Sequence, residues 1–343
     1  MDYIENRKIY LTETIYNRLK NDAQLFDIYK RDKHTVNLNM FLNKLLAGYY
    51  DEYSEECSNI RNAIVDELDH HSVNDSYNIA TSILNQIILH DLDNSSETKS
   101  KTVSFKPIKN TILLVEQIEK ELNPYDTFSS YFRRMVSKYC EKPIYEREQV
   151  IFKDTLSSIQ TAIRTKRIIL FNTIWNAKKI HEAIPYEICV GQDENHNYLL
   201  CADIDPNSRK QTVKTIRLNR IASIKTSNKG DALSPEILEN LKLTKKYGSQ
   251  HEINTNTPIV VKLNNYGLIA YNRIYTDRPK YEGSIQMDND GRYVLNFLCS
   301  EEQVYLYFRR FQKEDSEIIS PEHLRKRIIE FHESALSNYK KRG

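Results

Sequence analysis

Glycine is scarce in this sequence, at 8 of 343 residues, which excludes repetitive or linker-dominated architecture. No Gly-rich phosphate loop occurs, so the usual nucleotide cradles are missing. The five cysteines, Cys57, Cys140, Cys189, Cys201 and Cys299, are scattered without a C-x-x-C. That spacing points to neither a disulfide framework nor a structural zinc, and it leaves them as small core or surface residues. Catalytic signatures are also lacking. "HEINT" and "HEAIP" have no second histidine of an H-E-x-x-H, His70 and His71 stand in an acidic stretch, His323 and His332 are too far apart for a local ligand pair, and no G-x-S-x-G occurs. No catalytic residue, metal site or cofactor is expected, and an enzyme is the weakest reading. No run approaches the roughly 18 apolar residues that would cross a bilayer. The opening "MDYIENRKIYLTETIYNRL" has no basic-then-apolar signal pattern, so a cytoplasmic protein without membrane contact is expected.

What is present is a globular composition, 28% charged and 40% hydrophobic, in a length that suits two or three domains. The net charge of +2 hides local separation. Residues 51–98 hold 11 acidic residues against one arginine, whereas residues 151–229 hold 13 Lys and Arg against 7 Asp and Glu. The second stretch suits a polyanionic partner or, more plainly, a solvated surface of mixed charge.

A weak repeat runs at an offset of 90 residues. "RKIYLTETIYNRLKNDAQLF" and "TVNLNMFLNKLLAGYY" are followed by "KTVSFKPIKNTILLVEQIEKEL" and "DTFSSYFRRMVSKYC". Leu42, Leu45, Leu46 and Tyr49 correspond to Phe132, Met135, Val136 and Tyr139, an i, i+3, i+4, i+7 stripe that marks one buried helical face. Ile9 and Leu11 alternate with Lys8 and Tyr10, and Val103 and Phe105 alternate with Ser104 and Lys106, as in half-buried strands. Each copy therefore reads strand, helix, helix. Asn37 and Asn39, or Thr127 and Ser129, open the second helices as candidate caps.

This pattern resembles the ribbon-helix-helix family of DNA-binding units, over about residues 5–50 and 100–140. The resemblance implies a two-stranded ribbon whose polar face enters the major groove, here within one chain and with an acidic helical insert at 51–98. Lys8, Tyr10, Ser104 and Lys106 would face the groove; any exposed ribbon needs a polar outer face as well. The alternative is an all-α scaffold with two short strands. Arg133, Arg134 and Lys138 read as a solvated helical face.

Residues 143–154 read as a linker, and "KDTLSSIQTAIRTK" (153–166) as an amphipathic helix. "RIILFNTIW", "HEAIPYEICVG", "NYLLCADID" and "VKTIRLNRIASI" are then strand-like and suit a small barrel. Beyond a connector at 227–257, "PIVVKLNNYGLIAYNRI", a hairpin around "DNDGR" and "SEEQVYLYFRRFQKEDSEIIS" give strand, helix, strand, strand, helix, strand and a last helix, a ferredoxin-like order. The fold class expected is α+β multidomain: a mostly helical region at 1–142, a small β-barrel at 155–226 and an α+β extension at 258–343.

The helix "IQTAIRTKRIILF", "IPYEI" with Pro185, "NYLLCAD" and "TIRLNRI" make residues 155–342 resemble the WYL-domain proteins, bacterial regulators with an Sm-like barrel and a C-terminal extension. The family's Trp-Tyr-Leu is Asn197, Tyr198 and Leu199 here, and its two arginines are Arg217 and Arg220. His181 stands where the family usually has a basic residue. The resemblance implies binding of nucleic acid or nucleotide-like ligands, with no catalysis, and a dimer formed through the extension. With a ribbon-helix-helix N-terminus it is similar to accessory proteins of type VI-D CRISPR loci, which bind single-stranded RNA and boost an RNA-guided effector nuclease. The rivals are a duplex-DNA repressor with the barrel as ligand sensor, and a protein-protein adaptor.

A single-strand site needs cations that track phosphates and flat side chains that stack on bases. Arg217, Arg220, Lys178, Lys179 and Arg167 supply charge, His181 adds a titratable group, and Tyr198 and Trp175 supply planes. Each has a plainer reading. Arg220 pairs with a carboxylate or carbonyl at the edge, Tyr198 packs in the core or at the rim, Trp175 packs at a strand end, and Lys178 and Lys179 are a solvated pair in a turn. Strict alternation would put Arg220 on the inward face with Ile216 and Leu218; if the strand ends near Asn219, Arg220 turns instead with Arg217 toward a shared anion site at the rim.

Overall fold

The computed structural model describes residues 6–32, 34–71, 74–93, 100–122, 126–192, 195–254, 257–274, 278–312 and 314–340. The chain is α+β and divides between Leu156 and Ser157 into two units. No helix among the described residues is long and apolar enough to cross a membrane.

The first unit contains β1 (Arg7–Thr12), α1 (Glu13–Leu25), α2 (Leu38–His70), α3 (Ser76–Asp93), β2 (Ser100–Phe105), α4 (Lys109–Glu121), α5 (Phe128–Glu141) and α6 (Ile144–Ile151). β1 and β2 pair antiparallel with Lys8 opposite Ser104 and Tyr10 opposite Thr102. Their period-2 pattern buries Ile9, Leu11, Val103 and Phe105 and leaves Lys8, Tyr10, Thr102 and Ser104 exposed. The repeat is real in packing, because all eight residues of its two helical stripes are 0–1% exposed.

Only one of each pair of candidate caps does the capping. Asn37 accepts from the Met40 N–H at 3.1 Å, and Thr127 accepts from the Ser130 N–H at 3.2 Å. The other member reaches across to the opposite copy's strand. Asn39 accepts from the Lys106 N–H at 2.8 Å, and Ser129 accepts from the Tyr10 N–H at 3.2 Å. Asn39 and Ser129 stand 90 residues apart, so equivalent positions do equivalent work on backbone groups that the two-stranded ladder leaves unpaired.

Two local expectations change. Residues 144–151, inside the stretch read as a linker, are helical, with Pro143 at the N-cap and Arg147, Glu148, Val150 and Ile151 buried. Arg147 donates to Asp22 at 2.8 and 2.9 Å, and the Tyr139 hydroxyl donates to Asp22 at 3.2 Å, so α1, α5 and α6 meet on one buried carboxylate. α6 also lies so close to α2 that a Cβ on Gly48 would stand 2.0 Å from the Val150 carbonyl oxygen. Arg134 is the second change: it is not on a solvated face but buried and ion-paired with Asp126.

The second unit takes in most of α7 (Lys153–Arg164), then β3 (Ile169–Thr173), β4 (Asn176–Val190), β5 (Asn197–Ile204), β6 (Gln211–Arg217), a 3-10 turn at Leu218–Arg220 and β7 (Ile221–Thr226). These strands form an antiparallel sheet in the order β6-β5-β4-β3-β7. The stretch read as a connector carries α8 (Pro235–Tyr247), whose Ser234 cap accepts from the Ile237 N–H and whose Ile237 and Leu241 join the core of Ile184, Leu200, Ala202 and Val213. There follow β8 (Ile259–Leu263), α9 (Asn265–Arg273), β9 (Tyr281–Met287), β10 (Tyr293–Phe297), α10 (Glu301–Phe308), β11 (Ser316–Ser320) and α11 (Glu322–Lys340). The second sheet is antiparallel in the order β11-β8-β10-β9, and Gly291, at φ 76°, supplies the turn between β9 and β10. On α10, Tyr307 and Phe308 pack on Tyr271, Phe308 also packs on Phe297, and Val304 and Tyr305 are buried in the same core.

Truncating one partner of a buried ion pair strands the other, at a cost of about 3–5 kcal/mol. Asp22→Ala is therefore expected to lower the denaturant-unfolding free energy of the N-terminal unit by about that amount, read from the urea midpoint.

Candidate nucleic-acid interface

β6 stops at Arg217, which resolves the parity of the basic strand. Leu218, Asn219 and Arg220 wind into a 3-10 turn, so Leu218 and Asn219 go inward while Arg220 stays partly exposed. Arg217 and Arg220 then line one open pocket of about 740 Å³. Tyr198, His181, Trp175, Lys214, Gln250 and His251 line it with them.

Tyr198 lies directly across from Arg217 in the β5–β6 register. The Arg217 Nε–H donates to the Tyr198 hydroxyl at 3.0 Å, and the guanidinium carbon is 5.8 Å from the ring centroid. Tyr198 is only 5% exposed, so it positions the arginine and presents no open ring face to a base. The bond uses one of the five guanidinium donors, which preserves the fork that suits phosphate oxygens. Arg220 sits 4.4 Å above the Trp175 ring, a cation–π contact, and its carbonyl accepts from the Ile174 N–H at 3.0 Å.

His181 stacks on Phe171, with centroids 5.1 Å apart and planes at 14°. Its Nδ1 is 3.2 Å from one Asp203 oxygen, while Lys214 Nζ is 3.6 Å from the other. Asp203 thus steadies two of the basic groups from behind the pocket, and no carboxylate among the described residues lines the pocket itself. Glu252 accepts from the Thr215 N–H at 3.0 Å. Burial raises its carboxyl above the usual range, against the lowering effects of that N–H and of Lys214.

Five of the eight residues named from sequence for this site meet here: Arg217, Arg220, Tyr198, His181 and Trp175. Arg167, Lys178 and Lys179 do not line the pocket. Lys178 and Lys179 are exposed on the opening residues of β4, a strand where a turn was expected, and Arg167 is exposed just beyond α7. Lys8, Tyr10, Ser104 and Lys106 belong to the first unit, where all four are exposed and the Lys106 main chain is held by Asn39 and Asn43. Trp175, read as a strand-end packing residue, is 72% exposed. Sequence reasoning missed Lys214, Gln250 and His251. Lys214 was visible as a third cation on β6, whereas nothing local marks Gln250 or His251, which arrive only after α8. The first unit has a pocket of about 460 Å³ lined by Arg61 and Arg134, but Glu121 and Asp126 line it too and balance them.

No protein-family model matches the sequence, and neither does any curated protein. A solved structure does match: that of a CRISPR Cas-related protein, at a TM-score of 0.65 and 19% identity, over 100% of this chain and 96% of that one. The chain shares its fold with a CRISPR Cas-related protein from end to end. A second comparison, with the proteasome accessory factor B/C (PafBC) of Arthrobacter aurescens, reaches a TM-score of 0.26 and 12% identity over 80% of this chain and 45% of that one, too low to bear on the fold.

A carboxyl whose pKa is raised on folding binds its proton more tightly in the native state. Its contribution is fully present below the unfolded value and is lost as pH rises through the folded one. Glu252→Gln keeps an acceptor for Thr215 and removes the titration. The drop in melting temperature between pH 4 and pH 7 is therefore expected to be smaller in the variant; an unchanged drop would contradict the assigned burial effect.

Proposed function

We propose that this chain is a non-enzymatic regulator whose second unit binds single-stranded nucleic acid, RNA in preference to DNA, and that it modulates a CRISPR effector nuclease. The carrying observation is the convergence of Lys214, Arg217 and Arg220 with His181 and His251 on one pocket that no carboxylate among the described residues lines. Phosphates relieve the repulsion of such a cluster, and arginine forks grip them bidentately. The end-to-end likeness to a CRISPR Cas-related protein supports the proposed setting. On this reading the five-stranded sheet is the Sm-like barrel of a WYL domain. The β8–β11 unit, with its βαββαβ order, is the ferredoxin-like extension through which two chains dimerise in the cytoplasm. The first unit is read as a ribbon-helix-helix pseudo-dimer, a reading supported by the reciprocal Asn39 and Ser129 contacts.

A second reading, duplex-DNA binding by the ribbon, is favoured by the exposed outer row of Lys8, Tyr10, Thr102 and Ser104. Anisotropy titrations with labelled single-stranded RNA and duplex DNA at several salt concentrations separate the two. Each charged contact contributes about 1.5–3 kcal/mol, so Arg217→Ala with Arg220→Ala is expected to weaken RNA binding about 100-fold or more. The same double variant is expected to lower the log–log salt slope by about 1.4, at roughly 0.7 per phosphate on a single strand. Unchanged RNA binding, or loss only with Lys8→Ala and Lys106→Ala, would reject the barrel as the site. Light scattering at micromolar concentration is expected to give the mass of two chains, and a stable monomer would reject the dimer.

A further inference from the structure

The tip of the hairpin between β3 and β4 breaks a local rule without any gain in packing. Thr173 pairs with Asn176, so the connection is the two residues Ile174 and Trp175. Two-residue hairpins normally use Asn-Gly, Asp-Gly or Gly-x, whose small residues accept the turn geometry. Here both residues are bulky and apolar, and they are 41% and 72% exposed, so they add little to the core. A large exposed aromatic placed against residue preference is the kind of local violation expected at a functional site.

The tip is also braced. The Ile174 N–H donates to the Arg220 carbonyl at 3.0 Å, and Asn172 Nδ2 donates to the Ala177 carbonyl at 2.7 Å. Arg220 covers one face of the indole at 4.4 Å. With that face covered and the residue still 72% exposed, the opposite face is open to a ligand. Tyr198, the other aromatic ring of the pocket apart from the histidines, is buried and hydrogen-bonded to Arg217.

We propose that Trp175 is the base-stacking platform of this site: an unpaired nucleobase lies on the indole face opposite Arg220 while its flanking phosphates meet the pocket cations. The inference rests on the single-strand reading above and sharpens it. A base inside a duplex has both faces covered by its neighbours, so an indole held at the mouth of a cationic pocket selects single strands by stacking. Stacking is tolerant of base identity because every base has a π-face, so the site discriminates by strandedness more than by sequence.

Trp175 is the sole tryptophan of the 343 residues, so emission excited beyond the absorption band of the 23 tyrosines reports on this residue alone. The test is a titration with an oligouridylate octamer and with a blunt RNA duplex, following tryptophan emission and the anisotropy of labelled RNA in parallel. The octamer is expected to quench emission saturably, at the same midpoint as the anisotropy change, and the duplex to leave emission unchanged. Trp175→Ala is expected to weaken octamer binding by about 10- to 100-fold. Trp175→Phe recovers most of that loss and the equally apolar but non-planar Trp175→Leu does not. Anisotropy that saturates while wild-type emission stays constant overturns the stacking role and leaves the pocket reading intact. So does a Trp175→Ala variant that binds like wild type. Absence of any RNA binding by the wild type overturns both.

Discussion

The register of β5 against β6 is the constraint on which the site depends. With Tyr198 opposite Arg217, the guanidinium is held by a phenol on the neighbouring strand, and β6 ends where the 3-10 turn can carry Arg220 to the same pocket. A slip of one residue would exchange the faces of β6, pointing Arg217 elsewhere and placing Ile216 where a cation belongs. The register is itself fixed by the core. Leu199, Leu200, Cys201 and Ala202 are wholly buried in consecutive positions, so β5 has no solvent face to which it could shift.

The pocket concentrates like charge, which costs stability that the surroundings return in part. Asp203 stands between His181 and Lys214 without entering the pocket, and Tyr198 and Trp175 give Arg217 and Arg220 aromatic contacts. An aromatic partner holds a guanidinium in place without neutralising it. A direct carboxylate contact does neutralise it, as Asp126 does for Arg134 in the first unit.

Legibility in the sequence followed the reach of the signal. Periodic burial is local, so the two helical stripes, the alternating strands and the Asp-Gly hairpin were readable residue by residue. The helix at 144–151 was hidden by its composition: "IYEREQVI" is half charged or polar, and its Arg147 and Glu148 are buried because Asp22, more than a hundred residues earlier, supplies a partner for the arginine. Arg217 and Arg220 were found through the family pattern, while simple alternation misassigned Arg220 because it assumes that a strand continues. The plainer reading of Trp175, packing at a strand end, fails because the two-residue turn leaves the residue 72% exposed. Gln250 and His251 carried no mark at all, because their place is set by the path of the chain after α8.

The reciprocal hold of Asn39 and Ser129 has a consequence for what the ribbon can present. Two identical chains would give it a two-fold axis and a palindromic outer face. Here one chain carries both halves, and their outer rows differ: one strand offers Lys8 and Tyr10 where the other offers Thr102 and Ser104. The tether makes the pairing independent of protein concentration and relieves the outer surface of symmetry. Whatever lies against the ribbon meets a directional surface, with a left and a right.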